Sequence, residues 1–379
     1  EKFFLLLILV GATLPFELFS QENKETKNFP INYEGSYVLE VVNNMTGGIK
    51  TGSSIIGMGN IKLFAQTEEL NFWENGEFLI NIVGTHGKNP TENLVGDFQG
   101  VSNIASESNI YLYELWYKHT VGDFSITAGL QDMGIDFVGS ESSALFFNGS
   151  FGIHSTIASN VNSPIFPLTA LGAQVKWNIN DDISIKTALF DGLADGFDKN
   201  PYNLKWDFNR NDGLFSISEA EFTNVFFENF SNSIKIGYYY HNHFEDNNDE
   251  QVRYYPKYGF YVVADQTLSN TGSEKKSSFF VQTGFCPSKK NDNDLYLGAG
   301  FNFYNLLGVK HSDVLGIAIA FANFKNQKKS ETTFEFTYLI YLTENIYAQP
   351  DLQYIINPMG TSEKLKNAFV GSLRLGLNF

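Results

Sequence analysis

Apolar and polar residues alternate with a period of two along most of the chain, most clearly in its C-terminal segment, Ala368–Phe379. One face of that segment is largely apolar and comprises Phe369, Gly371, Leu373, Leu375, Leu377 and Phe379. The opposite face is mostly small or polar and comprises Ala368, Val370, Ser372, Arg374, Gly376 and Asn378. Because successive strand side chains point to opposite sides, the segment predicts a strand with one apolar face. A soluble sandwich also alternates, but an edge strand this apolar would need covering.

Alternating segments recur to the end of the chain, with no helical stretch of any length between them. The predicted strands are Gly35–Asn43, Ser53–Gln66, Glu77–His86, Asn109–His119, Asp123–Leu130, Leu168–Asn178, Asp182–Phe190, Gly213–Phe222, Asn232–Asn242, Lys257–Asp265, Lys276–Phe285, Asp294–Tyr304, Asp313–Ala322, Glu331–Leu342, Asn345–Ile356 and Ala368–Phe379. An all-β chain with about sixteen strands predicts a transmembrane antiparallel β-barrel over residues 35–379, wide enough for an aqueous channel.

The connections between the predicted strands support this topology, because bacterial barrels have short periplasmic turns and longer outer loops. Long connections follow odd-numbered strands, at Gly87–Ser108, Gln131–Pro167, Asp191–Asp212 and His243–Pro256. Short connections follow even-numbered strands, at Thr120–Gly122, Asn180–Asp181 and Thr343–Glu344. Two even-numbered connections, Thr223–Ser231 and Gln266–Gly272, are longer than the scheme expects.

The same alternation predicts which side chains face lipid and which face the lumen. Expected on the lipid face are Tyr111, Tyr113, Leu115, Tyr117, Ile183, Ile185, Leu189, Phe334, Phe336, Tyr338 and Ile340. Expected in the lumen are Glu114, Trp116, Lys118, Ser184, Lys186, Glu335 and Thr337. Reversing the last strand would place Arg374 in hydrocarbon, at about 2–4 kcal/mol, so its register is well determined.

Composition agrees with a barrel, since aromatics reach 16% while charged residues are only 18%. Mean hydropathy is −0.17, too polar for a helical membrane protein. A barrel predicts that mixture, because half of each spanning strand faces water. The net charge of −16 argues against a nucleic-acid partner. The single Cys286 permits neither an internal disulfide nor a cysteine zinc site.

Residues 1–20 contain a lysine followed by a short apolar core, the pattern of a secretory signal peptide. Residues 21–34 form a short polar lead-in before the barrel. We therefore expect export to the periplasm and insertion into the outer membrane of a Gram-negative bacterium, among its lipid and lipopolysaccharide. The terminal Phe379 resembles the signal through which such barrels engage the barrel-assembly machinery.

Several longer motifs resemble those of the carbohydrate-selective porins of the OprB type. They are ELWYKHTVGDFSITAGLQD (Glu114–Asp132), SSALFFNGSFG (Ser142–Gly152), FPLTALGAQVKW (Phe166–Trp177), LFDG (Leu189–Gly192), GLFSISEAEF (Gly213–Phe222), YGFYVVADQTL (Tyr258–Leu268) and QPDLQYIINP (Gln349–Pro358). The resemblance implies a sixteen-stranded outer-membrane barrel that passes carbohydrates, mono- or small oligosaccharides, by passive diffusion. It implies no cofactor and no catalytic residue.

A sugar-selective pore needs polar side chains that replace sugar hydration and aromatic faces that stack on the ring. The loop Gln131–Pro167 is long enough to fold inward, and functional loops are often this long. Candidates for the constriction are Arg374, Glu114, Trp116, Asp132, Asp136, Glu141, Glu335, Tyr347, Gln349, Asp351 and Gln353. We expect Arg374, near mid-height, to face carboxylates of that loop, with Asp132 and Asp136 as the first choices. The alternative is that the loop points outward, and that Arg374 forms an ion pair that only stiffens the barrel.

Two other functions remain open from the sequence. The first is a general or ion-diffusion porin without sugar selectivity. The second is a barrel phospholipase-type enzyme using His154 and Ser155, for which no partner Asn or glycine-rich elbow is recognisable. A divalent-ion site at His241 and His243 with Glu245, Asp246 and Asp249 is less favoured than a solvated acidic loop, because the spacing fits no strong metal pattern.

Overall fold

A computed structural model of the chain describes residues 31–206, 212–224, 230–242, 244–245, 253–254, 256–271, 274–288, 291, 293–308, 312–325 and 329–379. The predicted signal segment, residues 1–20, and most of the predicted lead-in lie outside the described residues. Residues 243 and 246–250, part of the acidic loop weighed as a metal site, lie outside them as well.

Sixteen antiparallel strands within the described residues form one closed barrel, as the alternation predicted. Their bounds are β1 Asn32–Gly48, β2 Gly52–Gln66, β3 Gly76–Gly87, β4 Asn109–Val121, β5 Phe124–Gln131, β6 Ala170–Asn178, β7 Ile183–Asp191, β8 Leu214–Thr223, β9 Asn232–Asn242, β10 Lys257–Thr271, β11 Glu274–Phe285, β12 Leu295–Tyr304, β13 Asp313–Phe324, β14 Lys329–Tyr341, β15 Ile346–Ile356 and β16 Lys366–Asn378. A separate two-stranded ribbon pairs Phe244–Glu245 with Arg253–Tyr254. None of the helices in the described residues is long and apolar enough to cross a membrane.

The barrel closes where β1 pairs with β16, the first strand with the last. Glu40 lies directly opposite Arg374 in this pairing, and both side chains point into the lumen. At the end of the seam, the Gly35 amide donates to the Phe379 carbonyl at 2.8 Å, and the Phe379 amide returns a bond of 2.9 Å. A Cβ on Gly35 would lie 2.2 Å from the Phe379 ring, so glycine leaves the space that this aromatic occupies.

The predicted register of the last strand is confirmed. Leu373, Leu375 and Leu377 are each at least 41% exposed on the lipid face, whereas Arg374 is 8% exposed on the lumen face. The same alternation holds in β14, where Phe334 and Phe336 face outward and the intervening Glu335 faces inward, 1% exposed. Burial of large apolar groups in lipid therefore sets the side on which each lumen residue appears.

The prediction for the upper half of β4 is wrong at Tyr111 and Tyr113, which are buried inside the barrel. The pairing of β3 with β4 shifts by one residue between Asn81 and Ile82, so that Asn81 faces Glu114 while Ile82 faces Leu112. The residue in between, Tyr113, is the extra residue of a β-bulge. Because one inserted residue reverses the facing of everything beyond it, the alternation changes phase there.

One of the two connections that the scheme found too long is shorter than predicted. β10 runs to Thr271 and β11 begins at Glu274, so only residues 272–273 separate them. The connection from β8 to β9, residues 224–231, remains longer than a hairpin turn. The short connections after β4, β6 and β14, residues 122–123, 179–182 and 342–345, lie at the end of the barrel that holds the C-terminus, whereas the short connection from β1 to β2, residues 49–51, lies at the opposite end.

Two long connections fold into the lumen. We call residues 88–108 inner loop 1 and residues 132–169 inner loop 2. Inner loop 1 contains a one-turn helix, Thr91–Val95, whose buried Leu94 and Val95 pack on Val42 and Ile56 of the wall. Inner loop 2 contains four short helical turns: Met133–Asp136, Ser143–Leu145, Gly149–Phe151 and Ser155–Ala158. The expected inward fold of the loop after β5 is confirmed, and the loop after β3 shares it.

Deleting Phe379 tests the role of the seam end in assembly. We expect the amount of heat-modifiable barrel in the outer membrane to fall several-fold. Stability of the barrel that does form should change by only about 1–3 kcal/mol, because two backbone hydrogen bonds are lost while the remaining seam pairs stay. Phe379→Tyr, which keeps the ring, is the control and should assemble normally. Normal barrel levels after the deletion would contradict the assembly role.

Candidate functional site

Inner loop 2 is fixed to the barrel wall by carboxylates that accept its backbone amides. Glu335 of β14 accepts from the amides of Phe147 at 2.5 Å and Asn148 at 3.0 Å. Glu219 of β8, on the far side of the lumen, accepts from the Val138 amide at 2.9 Å. Because these carboxyl oxygens accept loop amides from opposite sides of the wall, they determine where the loop runs.

The same device holds inner loop 1. Glu331, also on β14, accepts from the amides of Phe98 at 2.8 Å and Gln99 at 3.0 Å. It further accepts from the amide of Met359 at 2.7 Å, in the connection between β15 and β16. One lumen carboxylate therefore holds two separate connections against the wall.

The two inner loops are joined to each other and to the seam. The Asn103 amide of inner loop 1 donates to the Phe147 carbonyl of inner loop 2 at 2.7 Å. Arg374 donates to the Glu40 carboxylate from Nε at 3.0 Å and from Nη2 at 2.7 Å, and to Asn103 Oδ1 at 2.8 Å. Its guanidinium carbon also lies 3.7 Å from the centre of the Phe147 ring. From its position on β16, Arg374 thus binds β1 across the seam and both inner loops.

The expected pairing of Arg374 with Asp132 or Asp136 is wrong. Asp132 accepts from the Tyr113 hydroxyl and, at 2.7 Å, from the Gly134 amide, so that it caps the first short helix of inner loop 2. Asp136 accepts from Gln174 at 3.2 Å on the opposite side of the barrel. The pairing was misplaced because Glu40, not a loop acid, lies directly across the seam.

A lumen-facing stripe on β2–β6 carries polar side chains and one large aromatic. Lys62 and Lys118 are half-buried there, whereas Asn81 and Glu114 are buried, 1% and 3% exposed. Trp116 lies on this stripe, and its β5 neighbour is Gly129. A Cβ on Gly129 would lie 2.7 Å from the Trp116 Cα, and the residue has a φ of +140°, so glycine is required there. The indole therefore has no neighbouring side chain from the facing residue of β5.

Charged and amide groups lie on both sides of Trp116 in this stripe. Above it, Asn81 Nδ2 donates to Glu114 at 3.0 Å, and Lys62 is the cross-strand neighbour of Asn81 on β2. Below it, Lys118 begins a row that runs through Thr127 to Gln174, the side chain that binds Asp136. Asp136 is exposed to the lumen. We call the set Lys62, Glu114, Trp116, Lys118 and Asp136 the lumen stripe.

The remaining predicted residues lie in three different environments. Glu335, Gln349, Asp351 and Gln353 are at most 4% exposed and lie beneath the inner loops instead of facing open lumen. Gln349, for example, donates to the Leu145 carbonyl at 2.8 Å. Glu141 is exposed and lines a polar recess of about 350 Å³ with Lys235 and Asp265. Tyr347 lies half-buried beside Gly376 at the seam.

His154 and Ser155 are both buried in inner loop 2. The Thr156 hydroxyl lies 2.7 Å from His154 Nδ1, and Ser155 Oγ donates to Asn293 Oδ1 at 2.9 Å. Burial lowers the pKa of His154 from 6.5 to about 3, so the imidazole is neutral. The described residues contain no group of three or more His, Cys, Asp or Glu side chains placed to hold a metal ion. His241 Nε2 lies 2.7 Å from the Gly192 carbonyl, in the barrel wall.

Comparison with known proteins identifies the family. A model of the carbohydrate-selective porin, OprB family, matches residues 56–379, which is most of the chain. The chain belongs to this family. The resemblance drawn from the sequence motifs is therefore confirmed, and so is the function class, a sugar-diffusion channel of the Gram-negative outer membrane.

Individual relatives of this porin are distant in sequence. Porin B of Pseudomonas aeruginosa is 22% identical, over 91% of this chain and 86% of that protein. The high-pH structure of Pseudomonas putida OprB has a TM-score of 0.82 at 19% identity, over 92% of this chain and 94% of that one. The trimer form of OmpT from Vibrio cholerae has a TM-score of 0.54 at 9% identity, over 92% and 99% of the two chains. These structures share the barrel fold.

Sequence reasoning missed several residues that shape the lumen of this porin. Glu40 was not selected, although it lies on the lumen phase of β1, in the strand that must close against Arg374. Inner loop 1 was treated as an outer loop. Its content of large apolar residues, among them Leu94, Val95, Val101 and Ile104, was the available signal, because an exposed loop would not bury them.

Arg374→Ala is expected to lower the free energy of unfolding by about 3–5 kcal/mol, because Glu40 is then left buried without its charged partner. Open-channel current noise should also rise, since Asn103 and Phe147 lose a shared anchor. The measurement is denaturant unfolding in detergent, combined with planar-bilayer recording. The double variant Arg374→Met with Glu40→Leu is the control and should recover much of the stability. Equal losses in the single and double variants would contradict the ion-pair account.

His154 is expected to make the folded porin less stable at acid pH. A base whose folded pKa lies below its unfolded pKa binds fewer protons when folded, so stability falls as the pH drops from about 6.5 towards 3. His154→Phe should remove this loss and gain on the wild type by up to about 1.4 kcal/mol per pH unit in that window. The measurement is the thermal unfolding midpoint in detergent between pH 4 and 7.

Asp132→Asn is a control for which stability relative to the wild type should change with pH in the opposite direction. Burial raises the pKa of Asp132 from 3.8 to about 7, so its folded form binds more protons and its contribution is lost as the pH rises towards 7. Asp132→Asn should therefore gain on the wild type as the pH rises, whereas His154→Phe gains as it falls. Parallel pH profiles for both variants would contradict the assignment.

Proposed function

We propose that mono- and small oligosaccharides cross this porin along the lumen stripe, in contact with Trp116. The observation that carries the proposal is the position of this indole. It lies half-buried on the lumen face of β4, beside a glycine, in the part of the wall where Lys62 and Lys118 remain half-exposed. Inner loops 1 and 2 are fixed to the remaining wall, so they narrow the lumen towards the stripe.

The chemistry of the stripe suits a sugar. The C–H face of a pyranose is apolar and stacks on an aromatic ring, while its hydroxyls need both donors and acceptors. Lys62 and Lys118 supply donors and the exposed Asp136 supplies an acceptor, whereas the buried Glu114 accepts from Asn81 within the wall. Contacts of this kind replace hydration without holding the solute tightly, as passage through a pore requires.

The proposal also includes the export of the porin, its assembly and its contacts with the membrane. Residues 1–20 direct export to the periplasm, and Phe379 engages the barrel-assembly machinery at insertion. The exposed leucines of β16 contact outer-membrane lipid and lipopolysaccharide. The porin family and fold point to a channel instead of an enzyme. His154 and Ser155 are buried and hydrogen-bond to Thr156 and Asn293, not to each other, which favours a structural role for both.

Trp116→Ala is expected to weaken sugar binding in the pore by about threefold to tenfold, which corresponds to roughly 0.7–1.4 kcal/mol. The physical reason is the loss of the stacking face, with little change in the wall itself. The measurement is the concentration of sugar that half-blocks single-channel current, across sugars of graded size.

Trp177→Ala is the matched control, because Trp177 faces lipid on the nearby strand β6 and is 41% exposed there. It should leave sugar block unchanged. If Trp116→Ala also leaves the block unchanged in a folded barrel, sugars do not pass over this indole. A wild-type channel blocked by no sugar would favour a general porin.

A further inference from the structure

The barrel wall has a gap beside the upper half of β4. On one side β4 pairs with β3 from Asn109 to His119. On the other side it pairs with β5 only from Leu115 to Val121, because β5 ends at Gln131 and the chain then turns into the lumen as inner loop 2. The edge of β4 from Asn109 to Glu114 is therefore left without a strand neighbour.

Residues 200–206, in the connection from β7 to β8, occupy this gap. The Leu112 amide donates to the Tyr202 carbonyl at 3.2 Å, and Asn203 Nδ2 donates to the Leu112 carbonyl at 3.0 Å. Both polar groups of the β4 edge at Leu112 are thus paired. Three residues further up β4, Asn109 Nδ2 donates to the Pro201 carbonyl.

Asn203 also reaches the root of inner loop 2. Its Nδ2 lies 2.7 Å from Thr169 Oγ1, the residue that immediately precedes β6. The Thr169 hydroxyl in turn donates to the Tyr113 carbonyl at 2.6 Å, at the β4 bulge. One buried amide, 7% exposed, therefore links the edge of β4 to the point where the inner loop rejoins the wall.

The segment has a defined conformation of its own. Asn203 has a φ of +53°, a left-handed conformation that Asn tolerates better than most residues. Asn200 Oδ1 accepts from the amides of Leu204 at 3.0 Å and Lys205 at 3.1 Å. Its Nδ2 donates to the Lys205 carbonyl at 2.8 Å. The turn is thus closed by a buried side chain.

The segment and the residues just before it have an exposed outer side and a side packed against β4. Tyr202 and Leu204 are 62% and 61% exposed on the outside. Just before the segment, the Phe197 ring packs 4.6 Å from the buried Tyr111 ring. Leu112 is nine residues from Val121, so at ~3.3 Å per residue and ~40° tilt it lies about 23 Å above the periplasmic end. That is the upper border of an apolar band about 25 Å tall, where an unpaired strand edge is costly.

We propose that residues 200–206 form a seal in the barrel wall, and that Asn203 is a positioning residue for the pore. The seal completes the hydrogen bonding of β4 where the inner loop leaves the wall. Through Thr169, Asn203 fixes the root of inner loop 2 and so the side of the constriction that carries Asp136. This second role rests on the proposed sugar route, whereas the seal does not.

The test is Asn203→Gly, which removes the side chain and suits the left-handed backbone. Open-channel current noise should rise, and sugar block should weaken about threefold or more. Hydrogen exchange should become faster at the Leu112 amide. The amount of heat-modifiable barrel should stay near the wild-type level. Asn305→Gly is the matched control, because Asn305 has a similar φ of +54° in the connection after β12, and it should change none of these.

Thr169→Val separates the two roles, since it removes the bond to Asn203 and keeps the bond from Asn203 to Leu112. It should weaken sugar block without faster exchange at Leu112, and its effect should not add to that of Asn203→Gly. If Asn203→Gly does not assemble, Thr169→Val still tests the positioning role. Unchanged noise and exchange in a folded Asn203→Gly barrel would overturn the seal. Faster exchange with unchanged sugar block would refute the positioning role, and Trp116→Ala tests the sugar route independently.

Discussion

Every backbone amide and carbonyl of a chain in hydrocarbon must find a partner within the protein, and this porin is organised by that requirement. The sixteen-strand ladder meets it for the wall, with the seam between β1 and β16 closing the ring. The inner loops pose the same problem inside the lumen, where they lack a ladder. Glu219, Glu331 and Glu335 solve it by accepting loop amides from the wall.

These anchors also account for the shape of the pore. Two loops bound to β14 and to the seam narrow the lumen towards the part of the wall around Trp116, where Lys62 and Lys118 stay half-buried. Acidic wall residues that alternation places in the lumen, such as Glu335, bind the inner loops instead of a solute. The pore is thus defined by what the anchors leave open.

The barrel could be predicted from the sequence because the alternation of apolar and polar residues is visible within each strand. Lipid on one side and water on the other impose a period of two, which each strand shows by itself, and Arg374 determines the phase of the last one. The failure at Tyr111 and Tyr113 has a physical cause, since one inserted residue at the β4 bulge reverses the pattern without any composition signal.

The site was predictable only in part. Alternation places Trp116 and Glu335 in the lumen, but whether a lumen residue meets open water or a folded loop depends on contacts between distant parts of the chain. Glu335 accepts from Phe147, 188 positions away. The partner of Arg374 was misplaced for the same reason, because Glu40 is 334 positions away and only ring closure brings the two together.

The Arg374 contacts also have a consequence for the order of events during folding. Arg374 binds the first strand and both inner loops at once, so the final hairpin meets a complete partner only when Asn103 and Phe147 are already inside. Contacts between such distant parts of a chain form late and slowly. Full pairing of the last strand and burial of the two inner loops therefore depend on each other, since Arg374 takes part in both.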